Sequence, residues 1–234
     1  MSRSTRWIVV SVVLALVVVL LAPFVYSEVQ EGRTPPPLGL QSPGEETASA
    51  EPAEPGPFDV DGEWAIGPGS EAGFRADVQG VPADEEVLLG ATPDVSGAFR
   101  VVSGELRTAT VTTQTATLAT GSAVADRQLH QALETDLYPT AIFSIISPLD
   151  VSELSSTTDP VRLEVSGALT LRDETQPVTV ALDVRRSGEG VLATGAIGVR
   201  FSDFGIAVPP DAPVQVRDDG TVEVRLELVR PSTP

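Results

Sequence analysis

From about residue 59 onward, apolar and polar residues take turns along the chain. In VRLEVSGALTLR, Val161, Leu163, Val165, Leu169 and Leu171 alternate with Arg162, Glu164, Ser166, Thr170 and Arg172. VTVALDV repeats the habit with Val178, Val180, Leu182 and Val184, and VEVRLEL with Val222, Val224, Leu226 and Leu228. VLATGAIGVRF does so with Val191, Ala193, Ile197, Val199 and Phe201. Successive side chains of a strand point to opposite faces, so each segment has one buried and one wet face. Antiparallel sheets show this pattern, whereas parallel sheets covered on both sides do not. Shorter runs predict further strands over 62–67, 72–79, 97–102, 105–117 and 140–147. Turn-forming groups such as Ser187-Gly188-Glu189-Gly190 and Asp218-Asp219-Gly220 separate the runs. About eight strands in one all-β domain make either a closed barrel or a sandwich, and alternation does not choose between them.

The inward positions of these strands carry Phe74, Phe99, Phe143, Leu169, Leu171 and Phe201. In a barrel they would line a lumen, although a dry, filled core gives the same alternation. Gly167, Ala193 and Gly195 fall on inward faces too, and their small size points to space inside.

RQLHQALETDLYPTAIFSI, residues 127–145, breaks the rhythm. Leu129 and Leu133 have helical spacing, and Tyr138-Pro139 ends the helical piece because the residue before proline disfavours the helical region. The stretch holds His130, the one histidine of the chain, and there is no cysteine. A lone histidine supplies neither a base with an orienting partner nor a set of metal ligands, so a structural role is expected for it. The acids have no calcium-loop or paired-carboxylate spacing, and no nucleotide or metal motif is present. No catalytic residue, cofactor or metal is expected, and the chain is not expected to be an enzyme.

The first residues are different. WIVVSVVLALVVVLLAPFVY, residues 7–26, carries no charge and is long enough to cross the ~30 Å hydrocarbon layer as a helix. Arg3 and Arg6 precede it, which places residues 1–6 in the cytoplasm and everything after the span outside the cell membrane. A cleaved signal peptide is the competing reading, but no convincing small-x-small cleavage site follows Leu21. Residues 27–57 are rich in Pro, Glu, Gly and Ala and read as a disordered linker. They lead into a β-domain over 58–234. The formal net charge of −18 repels phosphate backbones and excludes nucleic acid as a natural partner.

An ordered set of motifs then narrows the choice. Thr117, Thr120-Gly121, Asp126-Arg127, Leu129, Leu133, Tyr138-Pro139-Thr140 and Phe143 resemble the central motif of the YceI-like polyisoprenoid-binding family. VSGALTLRDETQPVTVAL and FSDFGIAVPP resemble its later strands, and GEWAIGPGSEAGFRA, with Trp64, Ser70 and Phe74, its opening pair. The likeness runs in collinear order over roughly residues 61–230. It implies an elongated antiparallel eight-stranded lipocalin-like barrel with a short helical cover. It also implies an apolar tunnel for an isoprenoid lipid of quinone or polyprenyl type, and it admits a homodimer, since some members of the family are dimers. The lumen and mouth candidates are then Trp64, Phe74, Phe99, Leu129, Leu133, Tyr138, Phe143, Ile145, Leu169, Leu171, Phe201 and Phe204. Arg127 is the polar candidate at the mouth, either meeting a ligand oxygen or pairing with Asp126, Glu134 or Asp136. The expected function is sequestration or carriage of such a lipid. The alternative is an interaction or scaffold module with a filled barrel.

Overall fold

A computed structural model describes residues 58–79 and 87–231. The candidate anchor at 7–26 and the linker over 27–57 lie outside those residues. Among the described residues no helix is long and apolar enough to cross a membrane.

Eleven strands form one antiparallel sheet: β1 (Gly62–Ile66), β2 (Glu71–Val78), β3 (Val87–Thr92), β4 (Val95–Val102), β5 (Glu105–Gln114), β6 (Thr140–Ile145), β7 (Leu149–Asp150), β8 (Val161–Leu171), β9 (Glu174–Ser187), β10 (Gly190–Arg200) and β11 (Val216–Val229). One α-helix, α1 (Ala123–Leu133), is inserted between β5 and β6. β1 pairs with β4 and β2 with β3 in nearly continuous register, from Gly62↔Val101 to Asp77↔Val87. The two halves therefore act as one long hairpin whose strands are kinked at 67–70 and 93–94. With β7 off the ring, the circuit has eight positions, each strand beside its neighbour in sequence. Closure comes from β11, which pairs with β2 along Val216–Arg225 and with β1 at Leu228 and Val229. The sheet is thus a closed barrel rather than a sandwich, and closure leaves no long unpaired edge.

Tight turns fix the register. β4 and β5 are joined by Ser103 (φ 54°) and Gly104 (φ 75°), two left-handed residues of the kind a two-residue hairpin needs. The Asp61 carboxylate accepts hydrogen bonds from both turn N–H groups, at 2.9 and 2.8 Å, and so ties the chain before β1 to this end of the barrel.

Three elements depart from the sequence expectation. VLLGAT, residues 87–92, is a strand that period-two reading passes over, because Leu88 and Leu89 are both apolar and Gly90 breaks the run. Gly90 is needed there: a Cβ would sit 2.3 Å from Cε1 of Phe74. The strand expected over 105–117 stops at Gln114, and Thr115–Thr117 form a 3-10 turn that leads toward α1. β11 begins at Val216 rather than 222, with a bulge between Val216 and Gly220 that the polar RDDG segment accommodates.

Two clusters of buried apolar side chains occupy the two ends of the barrel. Val60, Trp64, Val151, Leu154, Val184 and Leu226 belong to one, and Leu118, Leu133, Leu169, Leu171, Ile197 and Phe204 to the other. Between them lie Phe143, Leu149, Leu163 and Leu182, which pack against both clusters yet are only half-buried. A solid core would bury its middle most completely, and here the middle is less buried than the ends.

Candidate functional site

The half-buried inward residues face a cavity of about 260 Å³ inside the barrel. An engineered apolar cavity of ~150 Å³ is already large enough to stay dry and take up benzene. The wall is built from the inward positions of every strand of the ring. Ala109 and Val111 of β5, Leu163 and Val165 of β8, Leu182 and Val184 of β9, and Val222 and Val224 of β11 are among them. Among the described residues no ionisable side chain contributes, and the polar lining side chains are Thr113, Thr115 and Gln128.

The floor is at the β4–β5 turn end. Val60, Trp64, Val151 and Leu154 close it, all buried. Trp64 is held on both sides of its indole: Nε1–H donates to the Val60 carbonyl at 2.9 Å, and the Arg230 guanidinium lies 4.0 Å from the ring centroid. Arg230 in turn donates to the Asp59 carbonyl at 2.6 Å, and the Phe58 ring sits 5.8 Å from Trp64. Cation–π contact and ring packing of this kind seal an apolar end.

The opposite end is covered by α1 and by the connection from β10 to β11. Ala125, Gln128, Leu129, Ala132 and Leu133 fall at i, i+3, i+4, i+7 and i+8, the spacing of one helical face, and all five line the cavity. Ser122 caps the helix, its hydroxyl accepting from Ala125 N–H at 3.5 Å, and Glu134 ends it in a left-handed conformation at φ 49°. Ile206, Val208, Val214 and Val216 complete the cover from the connection.

Polar bonds hold this cover in place. The Gln128 amide bridges to the connection, Nε2 donating to the Val214 carbonyl and Oε1 accepting from Val214 N–H at 3.0 Å. Arg172, in the β8–β9 turn, donates to the Glu134 carboxylate and to the Gly205 carbonyl, clasping the end of the helix and the connection together. The Asp126 carboxylate accepts from the Thr120 hydroxyl at 2.6 Å and from Thr120 N–H at 2.7 Å. Those two bonds hold it below the ordinary carboxylate pKa, the hydroxyl first and the backbone N–H second, with a further pull from His130. His130 Nε2–H donates to the Leu118 carbonyl at 2.9 Å and so pins the helix to the 3-10 turn. Among the described residues there is no group of three or more His, Cys, Asp or Glu that could hold a metal.

Of the residues expected at the lumen, Trp64, Phe74, Phe99, Leu129, Leu133, Phe143, Ile145, Leu169, Leu171 and Phe201 line the cavity. Tyr138 and Phe204 do not. The Tyr138 backbone is engaged with Glu134 and Thr115, and Phe204 is 2% exposed within the cluster below the cover. Arg127 stands on the exposed side of α1, where its Nε donates to the Ala123 carbonyl at 3.1 Å, one turn back on the same helix. Nor do the inward glycines leave open space. A Cβ at Gly167 would meet the Phe143 ring at 2.3 Å, and one at Gly195 would meet Leu182 Cδ2 at 2.4 Å. The glycines admit large neighbours, and the cavity lies beyond them.

The floor residues Val60, Val151 and Leu154 and the cover residues Ile206, Val208, Val214 and Val216 were not singled out in the sequence. One signal was there: FGIAVPPDAPVQV keeps apolar residues at 206, 208, 214 and 216 through a proline-rich connection that regular structure does not explain.

Comparison with known proteins gives the same picture. A solved polyisoprenoid-binding domain from Saccharophagus degradans superposes with a TM-score of 0.60 at 16% identity, covering 72% of this chain and 98% of that one. BcnA from Burkholderia cenocepacia superposes with a TM-score of 0.55 at 18% identity, covering 69% and 96%. Identities this low establish the shared fold. No curated relative matches at the sequence level. The family model described as the YceI-like domain, however, matches residues 70–228. That match takes in the barrel from β2 to Leu228 of β11 with its helical cover, and the chain therefore belongs to the YceI-like family.

Proposed function

We propose that this chain is a binding protein that sequesters or carries an isoprenoid lipid, of quinone or polyprenyl type, inside the barrel. It would sit on the outer side of the cell membrane, anchored by residues 7–26 and held off the bilayer by the 27–57 linker. The observation that carries the reading is the apolar cavity, with no charge among its described lining residues, between the sealed floor and the helical cover. Every 100 Å² of apolar chain withdrawn from water there contributes about 2.5 kcal/mol, so a tail of several isoprene units binds without any covalent step. On this reading His130 and the acids of the cover are structural, and the protein does no chemistry on its cargo. A scaffold with a filled barrel would not need the cavity.

Native mass spectrometry of the full chain, purified in a non-ionic detergent, tests the proposal. A bound mass that disappears on delipidation and returns on adding an isoprenoid quinone is expected. A clean apo mass under several extraction conditions would favour the scaffold reading. Sequencing the amino terminus of the mature chain tests the anchor, since a start beyond Tyr26 would mean the segment is removed. The reading admits pairing of two copies, which sedimentation of the same sample measures directly.

A further inference from the structure

The polar groups of the lumen are few enough to be taken one by one. Gln128 is committed at both ends of its amide to the backbone of Val214. Thr115 donates its hydroxyl to the Tyr138 carbonyl at 3.1 Å. Thr113 is different. It lines the cavity, on the same inward row of β5 as Ala109 and Val111, and its hydroxyl makes no hydrogen bond to another described residue. It is paired in register with Ala141 and Val95, which puts it at the covered end, about 20 Å of strand from Leu106 near the floor.

Among the described residues, the cations near the covered end are paired or face outward. Arg172 is bound to Glu134 and Gly205, Arg217 pairs with Asp77 and Arg75 with Glu223, while Arg127 on α1 and Arg200 at the end of β10 are exposed. An anionic head group drawn into this lumen would lose its hydration with no cation among the described lining residues to replace it, a cost that neutral oxygen functions largely escape.

We propose that the lumen is selective for isoprenoid lipids with an uncharged head, and that the Thr113 hydroxyl is the side chain that hydrogen-bonds the head oxygen. The inference rests on the lipid-binding reading and sharpens it: neutral alcohols and carbonyls are admitted, and phosphate esters of the same tail are disfavoured. Thr113 can serve either kind of neutral oxygen, because a hydroxyl both donates and accepts.

Three probes with one tail test this in the full chain in non-ionic detergent: geranylgeraniol, its monophosphate and the parent hydrocarbon. Each is titrated against wild type, Thr113→Val and Thr113→Ser, with far-UV circular dichroism checking that each variant keeps its fold. In wild type the alcohol should bind about tenfold or more tighter than the phosphate. Thr113→Val should weaken the alcohol about fivefold, to the level of the hydrocarbon, and leave the hydrocarbon unchanged. Thr113→Ser, which keeps the hydroxyl, should retain most of the alcohol affinity. A phosphate that binds as tightly as the alcohol, or an alcohol affinity that Thr113→Val leaves untouched, overturns this inference and leaves the lipid-binding reading standing. If none of the three probes binds wild type, both fall together.

Discussion

The two ends of the barrel are closed by different physics. At the floor, Trp64 is wedged between Val60, Phe58 and the Arg230 guanidinium, and opening it would expose the largest side chain of the core. At the cover, α1 lies over the lumen with an apolar face, but Gln128, Arg172, Asp126 and His130 fix its position through hydrogen bonds. Hydrogen bonds at a wet boundary contribute little net free energy, because water replaces them when they break. Burial of an indole has no such substitute. The floor should therefore set stability, and the cover should set how fast a cargo leaves.

The largest effect is expected at the floor. Trp64→Ala should lower the unfolding free energy by about 3–5 kcal/mol, read by urea denaturation of the full chain. Next, Gln128→Ala removes both bonds to Val214 and should speed transfer of bound geranylgeraniol to acceptor vesicles about fivefold or more, at a stability cost of ~1–2 kcal/mol. Equal transfer rates in this variant and wild type would erase the contrast between the ends. Arg230→Ala sharpens it from the other side: stability should fall by about 1 kcal/mol while the transfer rate stays the same. Glu134→Gln should speed transfer only about twofold, since the Arg172 pair is part-exposed and water screens it.

The smallest effect is one of pH. Asp126 titrates below its ordinary value of about 3.9 because Thr120 bonds its charged form. Its support for the cover is full above that ordinary value and is lost as pH falls through the lowered one. Transfer should thus accelerate in acid below about pH 4. The Asp126→Asn variant should show a raised rate already at neutral pH and a flatter acid limb.

The antiparallel strands and the helical insertion were legible because alternation and helical spacing are local signals, carried by residues such as Val161–Leu171 and by Leu129 and Leu133, whereas the barrel was implied only by the family resemblance. Phe74, Phe99, Phe143 and Phe201 followed from parity, and all four line the cavity, whereas Trp64 was drawn from the family resemblance. What could not be read were quantities that depend on three-dimensional closure. Nothing in the sequence says that Gly167 is filled by Phe143, that Phe204 turns away from the lumen, or that Arg127 bonds back to its own helix. Thr113 and Gln128 were equally hidden, because a threonine in a strand and a glutamine in a helix look ordinary until their partners are known.

The order of the strands has a consequence for biogenesis. Each of the eight ring positions lies beside its neighbour in sequence until β11, which alone joins the end of the meander to β1 and β2. Without residues 216–229 the ring would stay open between β10 and β2, and its apolar inner face would have no closed wall around it. A chain truncated before Val216 should therefore present that surface to chaperones and to other chains.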